Sequence, residues 1–225
     1  MHIYPSILEK TTEDLFHSIT TLLPIFDHFQ IDIADGFFVG SRTVQIEDML
    51  EYLKLNPLNA DDKTFEMHLM VENYEADILK INELKDYMHV VSVLIHFQPF
   101  LRQNFSIPTT PYIIGITLNP EDDVAYNWKA IKSFDTIQLM TVRPGKQGQP
   151  FLPEVLDKIT KLRELGYTGR IILDGAINSN TLPIVLSGKH LPDAVCPGSY
   201  FQGDNPRAAL QVLQDTLTKA GNDVA

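Results

Sequence analysis

Three ionisable residues close apolar runs in this chain and could carry acid-base or metal chemistry: Asp32 in QIDIADG, His68 in FEMHLM and Asp174 in RIILDG. In a strand, Gln30 and Asp32 share a face, because side chains two apart point the same way. A carboxylate aimed into a sheet or barrel interior is costly unless it is paired, bound to metal or used. The plainer alternative is a strand that ends in an Asx turn, with Asp35 and Gly36 supplying the turn geometry. The polar residues at such strand ends form a short set: Ser6, Asp32, His68, His96, Asp174 and Ser199. His96 reads more readily as a satisfied structural residue than as a ligand. His68 differs, because one imidazole with two carboxylates suits Zn, Mn or Fe. A divalent ion there would polarise a ketone and stabilise the enediolate left when the adjacent carbon loses its proton, an effect worth several kcal/mol. The aspartates would serve as general acid and base.

A second constellation is rich in glycine. VRPGKQGQPF holds Gly145 and Gly148, DGAIN holds Gly175, and PGSYF holds Gly198 and Ser199. Each glycine alone reads as a turn residue. Three such loops in successive late units read as a phosphate cradle, where backbone N–H groups converge without cationic side chains.

These residues need elements to position them. Short apolar runs near Ile3, Phe29, Phe65, Val90, Tyr112, Thr136, Arg170 and Asp193 alternate with amphipathic stretches. The helices are expected over 12–23, 44–55, 74–85, 124–133, 153–165, 181–187 and 206–220. This alternation predicts an α/β chain of repeated βα units around a parallel sheet. The connection after the fourth strand, QPFLRQNFSIPTTP, is short and weakly helical, so that unit is abbreviated. Eight strands make a (β/α)8 TIM barrel the simplest architecture, with a doubly wound open sheet as the alternative. SILEK follows the first strand where a dinucleotide fingerprint would stand, which favours the barrel. A single domain over residues 1–225 is expected, with AGNDVA a frayed tail from about residue 221. In the ring, the strands bearing Asp32 and Asp174 are separated by the eighth and the first. The two carboxylates then flank a ligand from different sides. Proton abstraction on one face of a carbon and return on the other would epimerise it.

Composition narrows the partners. A net charge of −11 and a pI near 5.0 argue against a nucleic-acid surface and against anionic membranes. One cysteine, Cys196, excludes an intramolecular disulfide and suits a reducing cytoplasm. MHIYPSILEK does not read as a signal peptide, and no run approaches the roughly 20 apolar residues of a membrane span. A soluble, cytoplasmic protein is expected.

The motifs resemble those of the ribulose-phosphate 3-epimerase family. They are PSIL at Pro5 to Leu8, DxxDG at Asp32 to Gly36, HLMVEN at His68 to Asn73, LNP at Leu118 to Pro120, LMTVxPGxxGQxF at Leu139 to Phe151, DGxIN at Asp174 to Asn178 and GSYF at Gly198 to Phe201. Any one is weak, but seven in the family's order are specific. The resemblance implies a phosphate-binding barrel that interconverts ribulose 5-phosphate and xylulose 5-phosphate. It implies Asp32 and Asp174 as acid and base, and Asp32, His68 and Asp174 as ligands to a divalent metal (Zn, Fe, Mn or Mg). It places Ser6, His68, Met70 and Met140 at the substrate, with Gly145, Gly148, Gly175, Ala176, Gly198 and Ser199 around its phosphate. The implied partner is a phosphorylated ketose, and a homo-oligomer is expected.

The departures surround the substrate. Gln30 stands where the family has a histidine, and a neutral amide is a poorer ligand for Zn or Fe, though its oxygen suits Mn or Mg. Ala34 replaces a methionine, DGFFVGS replaces DGHFVPN, and Lys146 and Gln147 replace an aromatic residue and a glycine. Ala176 replaces a glycine, which is tolerable only at negative φ. These changes keep two alternatives open: a hexulose 6-phosphate such as allulose 6-phosphate as substrate, or a phosphosugar-binding homologue with impaired catalysis. A decarboxylase of the orotidine-phosphate type would need a lysine among the strand-two carboxylates, and QIDIADG has none.

Overall fold

The structure is a computed structural model that describes residues 1–104, 107–145 and 148–222, without the side chains of 221 and 222. The Lys146 and Gln147 departures therefore lie outside the described residues. The strands are β1 (His2–Ile3), β2 (Ser6–Ile7), β3 (His28–Ala34), β4 (Thr64–Met70), β5 (Val90–His96), β6 (Ile113–Leu118), β7 (Thr136–Met140), β8 (Arg170–Asp174) and β9 (Ala194–Cys196). All pair in parallel, in the order β1-β9-β8-β7-β6-β5-β4-β3-β2. The two outer members of that order, β1 and β2, are consecutive halves of one N-terminal strand, broken at Tyr4 and Pro5. On one side Tyr4 N donates to Val195 O at 3.3 Å, and on the other Gln30 N donates to Pro5 O at 2.9 Å. The sheet therefore curls round until its edges share one segment, and the eight expected strands become nine because the first is split.

The helices are α1 (Thr12–Leu22), α2 (Ile46–Leu55), α3 (Tyr74–Ile81), α4 (Phe97–Arg102), α5 (Trp128–Ile131), α6 (Leu156–Glu164), α7 (Leu182–Leu186) and α8 (Pro206–Asn222). Local chemistry starts them. The Thr11 hydroxyl accepts from Asp14 N at 3.2 Å, and Gln45 N donates to Asp48 Oδ2 at 3.1 Å, so orphan donors of the first turns of α1 and α2 are met. On α1, Leu15, Phe16, Ile19 and Leu22 are buried, the stripe that a 3.6-residue period places against the sheet. The helix expected over 124–133 shrinks to α5, because Asp123 takes Tyr126 N on Oδ1 at 2.6 Å and turns the chain before the helix begins. Helix α8 runs through Asn222, and the rest of the expected tail, residues 223–225, lies outside the described residues.

Strand periodicity separates two cores. On β3, Phe29, Ile31 and Ile33 join the large apolar cluster beneath the helices, while Gln30 and Asp32 alternate with them into the barrel. The interior consequently mixes polar residues, with Gln30, Glu66, His68, Ser92, Thr117, Gln138 and Asp174 all buried, and a small apolar cluster of Tyr4, Leu94, Ile172, Ala194 and Cys196. At its floor the Glu66 carboxylate accepts from Ser92 Oγ at 2.5 Å and lies 3.4 Å from Arg170, which donates to Tyr4 Oη at 2.6 Å. A closed polar layer supports the side chains above it.

Candidate active site

Asp32 and Asp174 stand at the C-terminal ends of β3 and β8, where parallel barrels present their chemistry. A threonine hydroxyl grips the backbone carbonyl of each. Thr43 Oγ1 donates to Asp32 O at 3.0 Å, and Thr141 Oγ1 donates to Asp174 O at 3.0 Å. The Asx turn foreseen just beyond Asp32 is present as well: Asp35 Oδ1 accepts from Phe37 N at 2.7 Å and Phe38 N at 2.9 Å, and Gly36 takes φ +82°. The turn in QIDIADG thus belongs to Asp35, while Asp32 is buried on the strand before it.

The carboxylates face one another across fully buried partners. His68 Nδ1 lies 3.0 Å from Asp32 Oδ1 and 3.4 Å from Asp174 Oδ2. Gln30 Nε2 donates to the same two atoms, at 3.1 Å and 3.2 Å. Gln138 Nε2 reaches Asp174 Oδ2 at 3.3 Å, and Cys196 Sγ donates to Gln30 Oε1 at 3.4 Å. Gln30 thus turns its nitrogen, not its oxygen, toward the aspartates. His68 is wholly buried beneath the aspartates and does not line the cavity above them. It is placed to act on Asp32, not to meet a substrate directly. Its Nε2 lies 2.9 Å from His96 Nε2, so His96 continues the chain of contacts outward.

The electrostatics follow from burial. Desolvation, then the charge of Asp32, pushes Asp174 up to about 7, so that near neutrality it exchanges a proton readily. Burial opposes charge on His68, but the hydrogen bond and charge of Asp32, with help from Asp174 and Glu66, hold its pKa above the ordinary value. Burial and the neighbouring His68 keep His96 well below the ordinary value, hence neutral. Asp32, His68 and Asp174 offer ligand atoms within 4.8 Å of one another. Two carboxylate oxygens and one imidazole nitrogen in a dry pocket fit a hard or borderline divalent cation, and its charge would relieve the repulsion that raises Asp174.

A cavity of about 510 Å³ opens above the aspartates and is lined by Ser6, Asp32, Met70, Met140, Asp174 and the late loops. Gly145, Gly148, Gly175, Ala176, Gly198 and Ser199 all line it too, so the glycine loops and the carboxylates converge on one space. Among the described residues no lysine or arginine lines it, so an anion there would be met by backbone amides and hydroxyls. Gly175 has φ +115°, and a Cβ on it would lie 2.5 Å from Val142 Cγ2. Ala176, its neighbour, has φ +52°, against the expected negative value. It is held there because Thr181 Oγ1 and Asn178 Nδ2 bind its carbonyl at 2.7 Å and 3.0 Å. The loop after β3 crosses to the loop after β7: Ser41 Oγ donates to Gly145 O, and Val39 packs on Gly145.

Sequence reasoning missed Gln138 and the role of Cys196. Gln138 carried a signal, because Thr136, Gln138 and Met140 share one face of β7. Cys196 carried none, since a buried cysteine reads as a small hydrophobe.

Solved barrels share the architecture. 3-Hexulose-6-phosphate synthase from Salmonella typhimurium matches 98% of this chain and 100% of its own with a TM-score of 0.61 at 14% identity. N-(5'-phosphoribosyl)anthranilate isomerase from Pyrococcus furiosus matches 99% of both chains at 0.58 and 12% identity. Sequence relatives are nearer. A ribulose-phosphate 3-epimerase from Methanocaldococcus jannaschii is 30% identical over 87% of this chain and 82% of its own. One from Bacillus subtilis is 29% identical over 83% and 85%, and one from Schizosaccharomyces pombe 25% over 97% and 94%. The model of the ribulose-phosphate 3 epimerase family spans residues 2–197, from the split first strand through both aspartates to the end of β9, and the chain belongs to that family.

Proposed function

We propose that the protein inverts C3 of a ketose phosphate, interconverting ribulose 5-phosphate and xylulose 5-phosphate, with Asp32 and Asp174 as the acid and base. One observation carries this reading. Two buried aspartates, from strands on either side of the barrel seam, meet one cavity whose far wall is built from glycine loops. The phosphate rests on the amides around Gly145, Gly175 and Gly198. The ketose carbons lie over the aspartates, walled by Met70 and Met140. One aspartate removes the C3 proton from one face, and the other, protonated, returns a proton to the opposite face. Near neutrality the raised pKa of Asp174 favours a pair that holds one proton between its members, the state this exchange requires.

Asp32, His68 and Asp174 would hold a divalent metal, which when bound supplies a positive charge that stabilises the enediolate oxygen. Burial at 0% exposure keeps His68 rigid, and its Nδ1 orients the Asp32 carboxylate.

The test is incubation with ribulose 5-phosphate in deuterated water, with and without added Mg²⁺, Mn²⁺, Fe²⁺ or Zn²⁺. Deuterium enters C3 and xylulose 5-phosphate forms if the reading is right. Absence of both under every condition refutes it, and the same assay with allulose 6-phosphate measures how wide the substrate range is.

A further inference from the structure

We infer that Gln30 is a metal-responsive side chain: its amide faces the aspartates through nitrogen when the site lacks a cation and turns over to ligate through oxygen when one binds. The inference rests on Asp32, His68 and Asp174 forming the cation site of the proposed function. In the structure Gln30 Nε2 sits 3.1 Å from Asp32 Oδ1 and 3.2 Å from Asp174 Oδ2. These are also the two atoms nearest His68 Nδ1. Nitrogen therefore occupies the edge of the space that the three ligand atoms enclose. Its hydrogens satisfy the two carboxylates, and they would repel a cation placed among the ligand atoms.

The two ends of an amide are nearly the same shape. A half-turn about the Cγ–Cδ bond puts Oε1 where Nε2 stands, and no other atom need move. Without a cation that orientation is opposed by charge whenever both aspartates are ionised, because a carbonyl oxygen would then face two carboxylate oxygens at about 3 Å. With a cation it is favoured, because the oxygen becomes a fourth ligand. Gln30 is fully buried, so water cannot take over either set of hydrogen bonds. The orientation is therefore tied to the occupancy of the site.

Cys196 reports the turn. Its thiol donates to Gln30 Oε1 at 3.4 Å in the nitrogen-inward state. After the turn the thiol faces the NH₂ end, to which S–H cannot usefully donate, and the sulfur becomes a weak acceptor instead. Cys196 is the chain's sole cysteine, so one S–H infrared stretch belongs to it without assignment.

The experiment records that band in the full-length protein, in H₂O and D₂O, while Zn²⁺ or Mg²⁺ is titrated and binding is followed by calorimetry. The expected result is one bound ion per chain, with the band moving to higher wavenumber as the S–H···O contact is lost. Gln30→Met, which keeps the length of the side chain but not its amide, should bind the ion about tenfold or more weakly and show no metal-dependent shift. Cys196→Ala confirms the band's origin. Stoichiometric binding with a stationary band overturns the inference and leaves the cation site intact. Disappearance of the band, meaning a thiolate ligand, overturns it as well. Failure of any divalent ion to bind removes the cation site on which it rests.

Discussion

Ala176→Gly should stabilise the protein, and the size of the effect follows from its backbone. Ala176 has φ +52°, a left-handed conformation that costs an ordinary L-residue about 1–2 kcal/mol relative to its preferred basins. Glycine removes that cost but gives the unfolded chain more freedom, worth about 0.5–1 kcal/mol in the opposite sense. The difference is a net gain of about 0.5–1 kcal/mol. Thr181 Oγ1 and Asn178 Nδ2 hold the residue's carbonyl from outside the side chain, so both bonds survive the substitution. Urea denaturation should show a higher midpoint at unchanged m, and the melting temperature should rise by about 1–4 °C for a domain of this size. Gly175→Ala is the opposing control: its φ of +115° and the 2.5 Å approach to Val142 Cγ2 make it destabilising. A midpoint for Ala176→Gly equal to or below that of the parent would refute the reasoning, because it would mean that the methyl group contributes more than the strain costs.

Three further outcomes are expected. Asp174→Asn should lower C3 deuterium exchange by about 10²–10⁴-fold while phosphosugar affinity, read by calorimetry, changes little, because proton transfer and anion binding lie in different loops; lost affinity with unchanged exchange would contradict the assignment. Burial, then the Arg170 charge, pushes His28 from 6.5 down to about 4, so the stability it contributes is complete above about pH 6.5 and is lost as pH falls toward 4. His28→Gln should flatten the fall in urea stability across that window, and an unchanged pH profile would show that His28 is not its source. Arg170→Met should cost about 3 kcal/mol in denaturant unfolding, because it removes the guanidinium that faces the fully buried Glu66 carboxylate in the floor of the barrel.

The parallel sheet was legible because the buried strands are short, largely apolar runs bounded by helix-period segments, and seven of the eight expected strands emerge as single elements. The first expected strand is the one divided, at Pro5, whose missing N–H marks where one edge of the sheet hands over to the other. Asp32 and Asp174 were legible because a carboxylate that ends an apolar run has few inexpensive environments. What stayed hidden depends on distant partners. Gln30 is bonded to residues 144 and 166 positions away, Asp174 and Cys196, so no local pattern could say which end of its amide faces the aspartates. Ala176 stayed hidden for a similar reason: its φ is imposed by side chains two and five residues ahead that capture its carbonyl, not by its own preference.

The replacement of a histidine by Gln30 is therefore less disruptive than its chemistry suggests in isolation. A histidine at that place would present one nitrogen and need its other nitrogen satisfied from behind. The amide presents two N–H groups, enough for both Asp32 and Asp174, and leaves its oxygen to the one thiol within reach. Gln138 adds a second amide hydrogen bond to the same Asp174 oxygen. Neutral donors on β3 and β7 so stabilise two close carboxylates that would otherwise repel each other strongly in a dry interior. With Gln30 in that place the two aspartates stand at the cavity floor, each bonded to its amide.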